Sequence, residues 1–145
     1  MFADTLLDLE RNHLLRLLFW AGLSVVAGTI VVVMLAARRA RSPLLQHFAI
    51  QMIAWGIVFG AIAAVGWQGL HLRDVGGAAR LERMTWLNIG LDIGYVGVGL
   101  ALAVTAFMAR ALGKRMSVIG AGAGVVVQGL ALLLIDLQFA ALVSR

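Results

Sequence analysis

Cysteine is absent from the sequence, which excludes disulfides, thiol chemistry and Cys-ligated metals. Charge is scarce: Asp, Glu, Lys and Arg make up 13% of the 145 residues, against about a quarter in soluble domains. Walker loops, zinc-protease motifs and nucleophile elbows are missing, and no strand precedes the glycines near residue 90, so a nucleotide fold is excluded. Apolar/polar alternation is also missing, which argues against barrel strands. No basic segment opens the chain, and acidic residues precede its first apolar run, so a cleaved signal peptide fits poorly.

What is present is apolar. Hydrophobic residues reach 62%, and mean hydropathy is +0.97. Four runs stand out, at 14–37, 44–70, 84–109 and 118–143. Each exceeds the roughly 20 residues that cross about 30 Å of hydrocarbon as a helix. The expectation is an all-α integral membrane protein, a four-helix up-down-up-down bundle in a single domain spanning residues 1–145. Short connections at 38–43, 71–83 and 110–117 predict that consecutive helices are antiparallel neighbours. Pro43 fits the first turn of the second helix, where its missing N–H is harmless. Phe2, Leu6, Leu9 and His13 recur at near-helical spacing, so segment 1–13 reads as an interfacial amphipathic turn or an extension of the first helix.

The pI near 11.4 does not point to nucleic acid, because the basic residues sit between apolar runs, where topology signals lie. One face carries Arg38, Arg39, Arg41, Arg110, Lys114 and Arg115 without an acid. The other carries Arg11, Arg16, Arg73, Arg80, Arg83 and Arg145, diluted by Asp4, Asp8, Glu10, Asp74 and Glu82. The denser face is expected in the cytoplasm, with both termini exported.

Asp92 and Asp136 are the acids well inside apolar runs. A carboxylate at a helix centre costs about 2.5–3.5 kcal/mol on insertion scales, so such residues are functional hypotheses by default. Both lie about 10–12 Å from the same face, at 1.5 Å per residue, and two adjacent carboxylates could share one proton. Asn88, Asp92, Tyr95 and Gly99 follow i, i+4, i+7, i+11 on one helix face, extended outward by Thr85. Gly90 and Gly94 form a small-xxx-small pair on another face of the same helix. Gln128 precedes Asp136 in the fourth helix, and Arg16 is the expected counter-ion, since its long side chain reaches inward or snorkels. The polar cluster is therefore Asn88, Asp92, Tyr95, Gln128, Asp136 and Arg16. A structural role pinning helix register ranks ahead of a proton, ion or substrate role. His13 and His71 sit near one face and are the candidates for a metal or haem, against interfacial histidines with no ligand; no cofactor is expected.

The segment Leu87-Asn88-Ile89-Gly90-Leu91-Asp92-Ile93-Gly94-Tyr95, followed by Gln128-Gly129 and Asp136, resembles an uncharacterised family of small bacterial four-helix membrane proteins, a domain of unknown function. The similarity is best across the last two helices. Where family members carry Asn after the second-helix Trp, this chain has Gly56 after Trp55. The resemblance implies four helices and a bacterial cytoplasmic membrane, and no activity. Two functions compete. One is a non-enzymatic membrane protein that associates with itself or with a larger membrane complex. The other is a proton- or ion-coupled transporter using Asp92 and Asp136. An intramembrane enzyme built on the same carboxylates ranks third.

Overall fold

A computed structural model describes residues 2–108 and 112–144. Four α-helices account for most of them: α1 (Phe2–Ala37), α2 (Pro43–Gln68), α3 (Val75–Thr105) and α4 (Leu112–Val143). A 3-10 turn, Ala106–Met108, follows α3. All four helices are long and apolar enough to cross a membrane. Arg110 and Arg145, two of the topology charges, lie outside the described residues.

The helix ends depart from the apolar runs in one direction. Segment 2–13 continues α1 without a break. Helix α3 starts at Val75, where the hydropathy pattern places a loop through residue 83. Helix α4 starts at Leu112, ahead of the apolar onset at Val118. Charged residues end an apolar run but not a helix, and Ala, Arg, Leu and Glu at 78–83 are all good helix formers. The true stops are capping groups. Asp74 accepts a hydrogen bond from the Gly77 backbone N–H at 2.7 Å, and Ser42 accepts from Leu45 N–H ahead of Pro43 at the first turn. Helix α1 closes in a Schellman motif: Ala40 N–H donates to Leu35 O and Arg39 N–H to Ala36 O. Arg39 occupies its left-handed position, φ 49°, which glycine usually fills because a Cβ is strained there.

Glycine sets which helices touch. Gly28 of α1 lies against Ala49 and Ile53 of α2, and Gly56 of α2 against Ala21 and Ser24 of α1. On α4, Gly120 and Gly124 meet Leu44, Phe48 and Gln51 of α2, whereas Gly122 and Gly129 meet Gly99, Val96 and Asp92 of α3. At 100° per residue, 120 and 122 point to opposite sides of the helix. Helix α4 is therefore clasped between α2 and α3, and it is the most buried: 39% of the residues in its most apolar stretch are buried, against 17% in α3. This corrects the expectation that consecutive helices pack as neighbours throughout. Helices α2 and α3 share little backbone contact, although Trp55 and Tyr95 bridge them with ring centroids 5.2 Å apart. The close Cα approaches allowed by glycine draw α3 onto α4 and leave the α2–α3 seam open.

The core gathers Leu14, Leu17 and Ala21 of α1, Phe59 and Ala63 of α2, and Leu132 of α4. Large apolar side chains also cover much of the outer surface: Phe19, Ile57, Val65, Val104 and Leu134 are all largely exposed.

Candidate functional site

Two polar sites lie inside the bundle, and α4 contributes to both. Gln128 is the centre of the first. Only 2% of it is exposed. Its Oε1 accepts from Trp20 Nε1–H at 2.8 Å. Its Nε2 donates to Ser24 Oγ at 3.1 Å and lies 3.3 Å from Met52 Sδ. The amide thus bonds side chains of α1 and α2 from α4. Trp20 and Ser24 stand four residues apart, on one face of α1. That spacing is the one sequence signal for their part in the site, and Ser24 carries one of the few polar side chains inside the first apolar run.

The second site occupies the open seam. Asn88, Asp92 and Tyr95 of α3 line a cleft of about 160 Å³ together with Asp136 and Leu132 of α4 and Phe59 of α2. Ile62 and Leu91 complete the lining and are themselves half exposed on the outer surface. The cluster drawn from the sequence is therefore brought together in four of its six members. Asp92 and Asp136 are 4% and 6% exposed, and Asp92 Oδ2 is buried with no hydrogen-bond partner. Asp136 Oδ1 lies 3.5 Å from Nε2 of His13, whose ring stacks on Phe139 with centroids 4.4 Å apart. Thr85, at the outer end of the stripe, bonds Leu81 O within its own helix.

Gln128 and Arg16 do not join the cleft. Arg16 donates to Gln138 Oε1 at 3.0 Å on the exposed surface, which corrects its role as counter-ion. Positions 136 and 138 project about 200° apart around α4, so a side chain that reaches Gln138 is turned away from Asp136. His13, three residues earlier on α1, is the basic group beside Asp136. His71 bonds Gly69 O through Nδ1 at 2.7 Å. Among the described residues, no group of three or more His, Cys, Asp or Glu side chains is disposed to hold a metal ion.

A third contact ties the end of the bundle. Arg73, in the turn between α2 and α3, donates to both carboxylate oxygens of Glu10 at 2.6 and 2.9 Å. The bidentate hydrogen bond to Glu10 raises the Arg73 pKa above its already high ordinary value, with partial burial opposing it. Arg11 sits over the Trp67 ring, 5.6 Å from its centroid. The extension of α1 is thus docked to the α2 end and the following turn by charged side chains.

The chain belongs to the family of unknown function DUF6992, which it matches over residues 16–137. That span includes Trp20, Ser24, Asn88, Asp92, Tyr95, Gln128 and Asp136 and leaves out Glu10 and His13. No curated protein and no solved structure matches the chain.

Proposed function

We propose that this member of the family is a non-enzymatic multi-pass protein of the bacterial cytoplasmic membrane that works by pairing with a second copy of itself through α3. The apolar outer surface supports the bilayer, since side chains such as Phe19 and Val65 are 73% and 70% exposed and a patch that large on a soluble monomer would be anomalous. The glycine contacts pair 28 with 49 and 56 with 21, and 99 with 122 and 96 with 129. Within each hairpin one index rises as the other falls, which supports helices that run up and down across the bilayer. Arg38, Arg39, Arg41, Lys114 and Arg115 then share the face we assign to the cytoplasm.

The observation that carries self-association is the one-sided packing of α3. Its inner face is seated on α4 at Gly99, while a Cβ added at Gly90, Gly94 or Gly97 would meet no atom of another helix within 4 Å. Small residues let a second helix approach closely in lipid, where association depends on packing rather than on expelling water. The absence of native cysteine makes the test direct. A Gly94→Cys protein in native membranes is expected to form a disulfide-linked dimer, as a symmetric pairing brings the same residue to both sides. A Gly22→Cys control on α1 is expected not to. Monomers in both lipid nanodiscs and mild detergent, without cross-linking at residue 94, would overturn the proposal.

A second reading, a proton- or ion-coupled carrier, is favoured by one observation: Asp92 is buried and one of its oxygens has no partner. Flux of protons or cations into liposomes that disappears in Asp92→Asn would establish it over the first.

A further inference from the structure

The cleft between α2, α3 and α4 has a composition that points to one class of ligand. At one end are two carboxylates. Asp136 has His13 beside one oxygen, so Asp92 Oδ2 is the atom left buried without a partner. A carboxylate removed from water and left unpaired is costly, and a cation brought to it recovers much of that cost. Apart from the Asn88 amide, the remainder of the wall is aromatic and aliphatic. Phe59 and Tyr95 line the cleft, and Trp55 lies between them, with centroids 5.4 Å from Phe59 and 5.2 Å from Tyr95.

A hard metal ion does not suit this wall. Calcium takes 6–8 oxygen ligands and magnesium six in near-octahedral array, whereas much of this lining offers carbon. An organic cation suits it better, because it needs an anion at its head and apolar or π surface along its body. Size narrows the class. A volume of 160 Å³ is about five waters at roughly 30 Å³ each, and well below the 300 Å³ or more of drug-sized pockets. The cleft admits an ammonium head and a small body. Ile62 and Leu91 stand at its mouth, 54% and 51% exposed, so a hydrocarbon tail can leave between them along the apolar outer surface.

We propose that this cleft binds the ammonium head of a small lipophilic amine, with Asp92 as the anchoring carboxylate, Phe59 and Tyr95 against its body, and its tail leaving between Ile62 and Leu91. This goes beyond self-association, and it does not depend on flux, since binding alone satisfies the geometry.

The test uses the full chain in lipid nanodiscs, titrated calorimetrically with benzylammonium and with benzyl alcohol, its neutral near-isostere, and corrected for empty nanodiscs. The expected result is saturable binding of one benzylammonium per chain, at least tenfold tighter than benzyl alcohol. Asp92→Asn is expected to weaken benzylammonium at least tenfold and leave benzyl alcohol unchanged. Ile62→Trp, which crowds the mouth from an exposed position without touching a carboxylate, is expected to weaken both, and it serves as the decisive variant if Asp92→Asn fails to fold. Equal binding of the two compounds, undiminished binding in either variant, or no saturable binding of benzylammonium overturns the proposal. Proton or sodium flux from a protein that does not bind benzylammonium removes this inference and leaves the carrier reading standing.

Discussion

Replacing Gln128 by Leu keeps the side-chain volume nearly constant and removes every hydrogen bond that the amide makes. Gln128 is fully enclosed and holds Trp20, Ser24 and Met52. Interhelical hydrogen bonds in a membrane average about 0.6 kcal/mol, with a maximum near 1.7. Two bonds to nitrogen and oxygen partners are lost, and the sulfur contact is weaker. The Ser24 hydroxyl can turn back to a carbonyl in its own helix, so its orphaning is inexpensive. The Trp20 indole N–H has no such option and carries part of the roughly 1–3 kcal/mol penalty of a buried, unsatisfied donor. The sum is a loss of about 1–2 kcal/mol, a factor of about 5–30 in the unfolding equilibrium. Reversible unfolding in mixed micelles with increasing SDS, followed by tryptophan fluorescence, measures it. The asymmetry of hydrogen-bond energetics supplies an internal control: replacing all partners by apolar groups is nearly neutral. The triple variant Trp20→Phe/Ser24→Ala/Gln128→Leu is therefore expected to recover at least half of the loss. A Gln128→Leu protein within about 0.3 kcal/mol of wild type, near the additivity error of such measurements, or a triple variant less stable than the single one, refutes the reasoning.

The remaining predictions use the same unfolding assay. Gly120→Ala places a Cβ on the Leu44 carbonyl oxygen, which is backbone and cannot swing aside; overpacking of this kind costs about 1–3 kcal/mol, whereas Gly22→Ala, with open space around it, is expected to stay within about 0.5 kcal/mol of wild type. Arg39→Gly relieves a left-handed residue and is expected to raise stability by about 0.5–1 kcal/mol, the steric gain being offset in part by glycine's greater chain entropy. Glu10→Gln removes the charge opposite Arg73 in a largely buried bidentate pair and is expected to cost about 1.5–3 kcal/mol, the range for hydrogen bonds to charged groups, with little change in about 1 M salt because buried pairs are weakly screened. Arg16→Ala, which breaks only an exposed bond to Gln138, is expected to cost under about 0.5 kcal/mol; a loss of several kcal/mol would mean that Arg16 neutralises a buried aspartate after all.

Legibility of the site varied with the kind of inference. Asn88, Asp92 and Tyr95 share a cleft because spacings of three and four place them on one helix face, a rule that needs no tertiary information. Asp136 joins them because its depth matches that of Asp92, which follows from counting residues along two helices. The partner of Asp136 was not readable. Arg16 and His13 are three residues apart on α1, and a rotation of that helix by about 60° decides which one faces α4. Glu10 and Arg73 are separated by 63 positions, and no local pattern links them.

The sequence by itself determined four apolar helices and the sites at which buried polar groups would be expensive. Those properties depend on segment length, on local hydrogen bonding and on transfer from water, each set within a short stretch of chain. Tertiary structure alone decided which helices touch. Gly120, Gly122, Gly124 and Gly129 permit close approach from either side of α4 but do not name the helix that approaches, because a missing side chain is compatible with many partners. Settling α4 between α2 and α3 opened the α2–α3 seam. That opening created the cleft, left Asp92 without a partner in it, and turned Gln128 toward Trp20 and Ser24.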